Sequence, residues 1–471
     1  MTPTDEQCEI LSLANSTSNL QIIAYAGTGK TSTLELLAKA CSTKPKLCLA
    51  FNKRIAEEMA KRFPDTTDCR TFNSLGHRIW SKTIPKRVTL DTKKTSNLFK
   101  EVAKAYSKND QKNLWENYFE ITSAVGLAKS VGYVPKMAFT SARRLCNGEF
   151  FNTLEDRLSP MLQTVVDQIL IWSIKTGYEG NLDFNDQIYL PALFGGTFPR
   201  FPVVMVDEAQ DLSPTNHAMI EKLCKHTRLI SVGDPYQSIY GFRGAKIGGM
   251  QAQALAFDCL QRTLSISFRC QSEIVKSVHW RVPDFRWQTK GGRVERLDKL
   301  EPASIVDGAA IISRNNAPLF GCALNLLACG RSVRVAGSDI GPKLVGILRR
   351  FGDEGISRSA VLGQIADWEA RKAEYSSSAK DLADCMRLFA SHSANLGQAI
   401  AYAEYLFAQE GTITLITGHK AKGLEWNTVY HLDPWLIRES EQELNLRYVI
   451  QTRARECYFE IDSKAIQWKN Q

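Results

Sequence analysis

The sequence predicts an α/β protein of two lobes, each built on a parallel sheet and each interrupted by a mainly helical insertion. Three observations carry this. Short runs rich in Val, Ile, Leu and Met alternate with helical stretches near both ends of the chain, as in strands buried on both faces of a doubly wound sheet. A Gly-containing turn joins the first such run to the helix after it. Two long stretches between the runs lose strand character and take up a helical period.

In chain order, LQIIAYAG is an apolar run entering a turn, followed by the helical TSTLELLAKACS; KLCLAF is a second strand and NKRIAEEMAKRF a second helix. From His77 to Tyr178 the chain reads as helical, basic and dotted with aromatics, with no strand expected. FPVVMVDE and RLISVGD then return to strand, so the helical stretch reads as an insertion into one lobe. AAIISR, SVRVAG, TITLIT and NTVYHLD give a second lobe, interrupted by helix over 341–410. There DLADCMRLFA places Leu382, Cys385, Leu388 and Phe389 on one helical face. The division is 1–75 with 181–262 for the first lobe and 76–180 for its insertion. The second lobe takes 263–340 with 411–471, and its insertion 341–410.

A chain of 471 residues, 44% hydrophobic and 23% charged, is neither disordered nor collagen-like. No apolar run approaches the ~18–20 residues that cross a bilayer. The opening MTPTDEQCEI carries acids where a secretion signal needs positive charge. The expectation is an intracellular protein with no membrane partner, cytoplasmic or nucleoid-associated, or nuclear in a eukaryote. The twelve cysteines form no CxxC and no zinc spacing, so buried free thiols such as Cys48 and Cys322 are expected. The net charge of +9 is concentrated: His77–Phe150 holds 14 Lys/Arg against 6 Asp/Glu, the footprint of a polyanion partner or a solvated helical face.

The sharpest chemical signal is Ala24-Tyr25-Ala26-Gly27-Thr28-Gly29-Lys30-Thr31, after a strand and opening a helix. Glycines let successive backbone N–H groups converge on a phosphate at a helix N-terminus, a Lys reaches the β/γ-phosphates, and a Ser/Thr hydroxyl meets Mg²⁺. The usual first Gly is here Ala24, which is tolerable if its φ is negative. Val203-Val204-Met205-Val206-Asp207-Glu208 is a buried strand ending in two carboxylates, suited to Mg²⁺ through Asp207 and to water activation through Glu208.

The segments DEAQDLSP and SVGDPYQSIYGFRGA resemble motifs of UvrD/Rep-type superfamily 1A DNA helicases. TDEQCEI resembles that family's Q motif, AYAGTGKT its phosphate loop, LAFNKRIAEEM and TFNSLGHR motifs Ia and Ib, LSISFRCQSEI motif IV, TGHKAKGLEW motif V and YVIQTRARE motif VI. The ordered resemblance runs from Gln7 to Arg455. It is nearest the F-box DNA helicase branch, without an F-box and with a reduced 2B insertion at 341–410.

The resemblance implies two RecA-like P-loop NTPase lobes with an ATP site between them. It implies that Gln7 reads adenine and that Ala26, Gly27, Thr28, Gly29, Lys30 and Thr31 hold the phosphates. Thr31 and Asp207 would hold Mg²⁺, Glu208 would act as base, and Gln237 would sense the γ-phosphate. Arg269 and Arg453 would be arginine fingers, with Gly423 and Glu425 near the nucleotide, Glu425 at the ribose. DNA contacts would come from Phe51, Asn52, Thr71, Phe72, Tyr240, Phe242, Arg243, Thr417 and His419. Cationic grooves with stackable rings bind single strands whatever the base.

The expected function is an ATP- and Mg²⁺-dependent helicase or translocase. It would move 3′→5′ on single-stranded DNA and act at single-strand/duplex junctions in replication, recombination or repair, as a monomer with possible recombinase or replication-protein partners. Two rivals stand beside it: a translocase that strips bound proteins with little unwinding, and a non-catalytic nucleic-acid-binding module with a relic ATP site.

Overall fold

The computed structural model describes residues 2–136, 139–146, 150–154, 157–241, 244–245, 248–337, 340–373 and 378–468. The chain divides into two compact units, Met1–Ala24 with Gly29–Leu264, and Tyr25–Thr28 with Ser265–Gln471.

The first unit is built on six strands in the order Thr67–Thr71, Lys46–Ala50, Val203–Val206, Arg228–Gly233, Leu20–Ala24 and Leu260–Leu264. Every neighbouring pair is parallel. Parallel pairing forces each connection to cross over the sheet, so both faces are covered and all strand C-termini share one edge. The pleat divides the side chains accordingly. Val203 and Met205 pack with Leu34, Leu37 and Met59 on one face, while Val204 and Val206 pack with Phe72, Leu75 and Met219 on the other.

The helices Lys94–Lys104, Lys108–Glu116, Tyr118–Val131 and Pro160–Tyr178 gather a separate core around Phe99, Leu114, Ile121, Val125, Val166 and Ile169. A buried ion cluster fixes this body. Lys94 Nζ lies 2.7 Å from Asp186 Oδ2, and Lys129 Nζ lies 2.7 Å from Asp186 Oδ1 and 2.5 Å from Asp183 Oδ2. Within the stretch read as strandless, Thr89–Leu90 pairs with Asn181–Leu182. Two residues cannot show a period of two, and this pairing simply satisfies backbone groups where the chain enters and leaves the insertion.

The second unit has six parallel strands in the order Arg293–Leu297, Ala454–Ile461, Trp426–Leu432, Ala310–Ser313, Ile413–Thr417 and Val333–Val335. Both units are α/β lobes, as the alternation of strands and helices predicts, and RecA-like, as the resemblance implies. Among the described residues the inserted helices Ile340–Leu348, Arg358–Ala373, Ala379–Ser391 and Leu396–Phe407 form no separate core. Their Leu344, Ile365, Met386 and Phe389 join one continuous core with Ile311, Phe320 and Leu415 of the sheet layer. Leu382 and Cys385 are buried in it with Phe389, and Leu388 sits at its margin.

Six of the twelve cysteines are buried free thiols, five are partly buried and Cys8 is exposed. Among the described residues no helix is long and apolar enough to cross a membrane.

Candidate active site and nucleic-acid surface

Strand Leu20–Ala24 delivers the chain to the glycine-rich loop. Ala24 is still in the strand, so the alanine meets no left-handed requirement. Gly27 and Gly29 do, with φ of +71° and +81°. Gly29 is the N-cap of helix Lys30–Ala40, whose first amides face a phosphate position at the strand edge. The neighbouring strand Val203–Val206 ends at Asp207, where Thr31 Oγ1 donates to Asp207 Oδ2 at 3.0 Å. Burial pushes the Asp207 carboxyl up to about 7, with repulsion from Glu208 adding to it and Lys30 opposing. A hydroxyl and a desolvated carboxylate converging beside the glycine-rich loop suit Mg²⁺, which keeps its remaining positions for water and phosphate.

Glu208 occupies the left-handed region at φ +52°, rare for a residue with a Cβ. This turns its carboxylate back toward the loop, with Oε2 3.9 Å from Lys30 Nζ. Gln237 is buried, and its Nε2 donates to Asp234 Oδ2 at 2.6 Å. Gln7 is buried and committed at both ends: its Oε1 accepts from the Thr4 N–H as part of a helix cap, and its Nε2 donates to Thr33 Oγ1.

The loop tip Tyr25–Thr28 belongs to the second unit. Ala26 N–H donates to Tyr448 Oη at 3.0 Å, Ser267 Oγ donates to Ala26 O at 3.0 Å, and Phe268 N–H donates to Gly27 O at 2.9 Å. Arg269 and Arg455 both pair with Glu425. Burial alone would raise the Glu425 carboxyl, but the two guanidiniums outweigh it and hold it below its ordinary value. Glu425 therefore serves as an arginine clamp in this structure. Arg453 is 1% exposed, with Nε donating to Val449 O and Nη1 to Leu424 O, each at 3.0 Å. Gly423 is exposed at φ +88°.

Of the predicted DNA contacts, Phe51 is 42% exposed, and its ring lies parallel to that of the half-buried Tyr240. Asn52 and Thr71 cap the helices Lys53–Arg62 and Phe72–Thr83, so their side-chain oxygens are engaged by Ile55 N–H and Ser74 N–H. What they present at the strand edge is helix N-termini, which suit a phosphate backbone. Phe72 is a correction to the sequence reading. Its ring is 4% exposed within the core under the sheet, so it offers no open face for stacking. Phe242 and Arg243 lie outside the described residues. In the second unit Thr417 is buried at a strand end, and His419 follows it half-exposed.

Sequence reasoning missed two residues. Phe184, 60% exposed, stands in the loop whose carbonyl accepts from Asn73 Nδ2 at 2.7 Å, one residue from the cap Thr71–Phe72 turn. The sequence around it gives no signal, since the burial of its neighbours Asp183 and Asp186 shows only in the structure. The other is Gln210, a buried amide in DEAQD.

A protein-family model, the UvrD/REP helicase N-terminal domain, matches residues 4–258, more than half of the chain. The chain belongs to the UvrD/REP helicase family. This UvrD/REP-family chain is 28% identical to F-box DNA helicase 1 of Gallus gallus, across 93% of its own length and 47% of that protein's. It is 24% identical to F-box DNA helicase protein 1 of Schizosaccharomyces pombe, across 93% and 54%, and 27% identical to DNA helicase IV of Escherichia coli K12, across 50% and 40%. The chain spans about half the length of the curated relatives it matches. Among solved structures the PRRSV helicase aligns over 97% of this chain and 55% of its own, with a TM-score of 0.36 and 11% identity. The fold assignment rests on the two sheet orders and not on that likeness.

Proposed function

We propose that the protein is an ATP-dependent DNA helicase that moves along single-stranded DNA, in the 3′→5′ direction that its family resemblance implies. The observation that carries this reading is the first unit's strand edge. There the Lys30, Thr31, Asp207 and Glu208 groups of a phosphate site share the C-terminal ends of the strands with the open Phe51–Tyr240 ring pair. In open parallel sheets ligands gather at that edge.

In this reading Lys30 and the loop amides hold the β/γ-phosphates, and Thr31 and Asp207 hold Mg²⁺. The ion, when bound, neutralises charge on the phosphate oxygens. Glu208 orients the attacking water and takes its proton. Arg269 and Arg453 act as arginine fingers on the γ-phosphate, where guanidinium forks match the spread charge of the transition state. Gln7 meets the adenine and Glu425 the ribose. Single-stranded DNA and single-strand/duplex junctions as substrates, recombinase or replication partners and a monomeric state belong to the same proposal.

The test is ATP hydrolysis with and without oligo-dT. Lys30→Ala and Glu208→Gln should abolish hydrolysis while oligo-dT binding persists; parental turnover in either variant would falsify the assignment. Strand displacement on 3′-tailed, 5′-tailed and blunt duplexes then reads polarity, and opening only from 5′ tails rejects 3′→5′ movement.

One observation favours a second reading, a translocase that clears bound proteins and unwinds poorly. The second insertion shares its lobe's core and builds no separate body among the described residues. Forked-duplex opening measured against displacement of a protein bound to the same strand separates the two.

A further inference from the structure

Gln210 lies in the DEAQD segment, yet none of the roles above uses it. It is 2% exposed. Its Nε2 donates to Glu208 Oε2 at 2.5 Å, and its Oε1 accepts from Asp234 N–H at 3.0 Å. Asp234, fully buried, accepts from Gln237 Nε2 through Oδ2 at 2.6 Å and from Tyr236 N–H through Oδ1 at 3.1 Å. Ser238 Oγ donates to the Gln210 carbonyl at 3.3 Å. The turn Pro235–Gln237 leads within three residues to Tyr240, whose ring faces Phe51. Even the adjacent glycine is shaped by this amide, because a Cβ on Gly233 would lie 2.5 Å from Gln210 Oε1.

We propose that Gln210 is a positioning residue that joins the base Glu208 to the Asp234–Gln237 turn, and through it to the single strand stacked at Phe51 and Tyr240. The inference rests on the ATPase reading above and deepens it. An amide is the side chain this position requires. It offers a donor at one end, which a carboxylate such as Glu208 needs, and an acceptor at the other, which a backbone N–H needs. A carboxylate here would keep the acceptor for Asp234 N–H but set a like charge against Glu208. An apolar isostere would take a donor from Glu208 and an acceptor from the buried Asp234 N–H, and losing a buried hydrogen bond costs about 1–3 kcal/mol. Because Asp234 also holds Gln237, a displacement of the turn by DNA moves the amide, and the amide moves the base. Where DNA at the ring pair changes nucleotide affinity at the Lys30 site through this link, reciprocity requires nucleotide to change the affinity for DNA by the same factor.

The experiment compares the full chain with Gln210→Met, a near isostere without hydrogen-bonding groups, and Gln210→Glu, which keeps the acceptor, removes the donor and adds a like charge beside Glu208. Two quantities are read: the ratio of oligo-dT-stimulated to unstimulated ATP hydrolysis, and the change in oligo-dT affinity when a non-hydrolysable ATP analogue is added. Both variants should bring the first ratio to within about twofold of one, and both should erase the nucleotide-dependent change in affinity. Affinity for oligo-dT without nucleotide should stay within about threefold of the parent. A purely structural role would lower the active fraction and leave the ratio intact. Parental values of the ratio and of the affinity change in either folded variant overturn the relay. A parent that hydrolyses no ATP, or binds no oligo-dT, overturns the functional reading itself, a different result from an active parent with indifferent variants.

Discussion

The Phe51 and Tyr240 rings are parallel to within 3°, with centroids 6.3 Å apart. At that distance the two rings stack on each other as an aromatic pair, too close for a flat base between them. The pair exists because Phe51 follows directly on strand Lys46–Ala50 while Tyr240 follows the turn after Arg228–Gly233, so both emerge at the same sheet edge. Removing either ring, as Phe51→Ala or Tyr240→Ala, should weaken oligo-dT binding by about 1–3 kcal/mol, the worth of one base–aromatic stack. The double variant should cost less than the sum, since the two rings are in contact and support each other. Fluorescence anisotropy with labelled oligo-dT and oligo-dA measures this, and a strictly additive double variant means that the rings act independently.

Gly27 meets two constraints at once. Its φ is +71°, and a Cβ there would come within 2.5 Å of Arg269 Cβ and 2.9 Å of Ser267 Oγ. The left-handed conformation alone costs a residue with a Cβ about 1–2 kcal/mol, and the contact with Arg269 adds to it. Gly27→Ala should therefore lower ATP turnover at least about tenfold while far-ultraviolet circular dichroism is unchanged. Ala24→Gly, at the extended strand end, should change turnover less than about twofold. Equal losses from the two substitutions would contradict the geometry.

The cluster of Lys94, Lys129, Asp183 and Asp186 is almost free of water, with Lys129 and Asp186 side chains fully buried. Burial would raise the Asp183 carboxyl, yet Lys129 outweighs it and holds that group at about 2. Truncating one partner of a buried ion network leaves an uncompensated charge, at a cost of about 3–5 kcal/mol. Lys129→Met should lose stability on that scale in urea unfolding, and Lys129→Met with Asp183→Asn should recover part of it. A single variant as stable as the parent would mean the cluster is solvated.

Much of this was legible in the sequence. The two sheets were, because strands such as Val203–Val206 are apolar on both faces, and the phosphate loop was, because Gly27 and Gly29 stand where φ must be positive. Side-chain direction was not. TFNSLGHR gives no sign that Thr71 caps a helix while Phe72 turns into the core, since both follow the same strand. Nor could spacing show that Gln210 reaches back to Glu208 and across to Asp234, a contact made only by folding two strand ends together. The fusion of the second insertion with its sheet was also hidden, because a helical period marks an apolar face without naming what covers it.

His431 gives the pH prediction. It sits fully buried in strand Trp426–Leu432, with Nδ1 2.6 Å from Tyr458 Oη. Burial, with a smaller push from the Arg447 charge, lowers its pKa to about 3 from the 6.5 of a free imidazole. Between those two values the unfolded chain binds a proton at this side chain that the folded chain refuses. Stability therefore rises with pH across that window and is lost as pH falls from about 6.5 toward 3, by up to about 1.4 kcal/mol per pH unit. His431→Gln keeps a neutral polar group beside Tyr458 but does not titrate. Urea unfolding at a series of pH values between those limits should show the parent losing more stability than His431→Gln on acidification, with the difference vanishing above pH ~7. Identical slopes in the two proteins would mean that the imidazole binds its proton alike in the folded and unfolded chains.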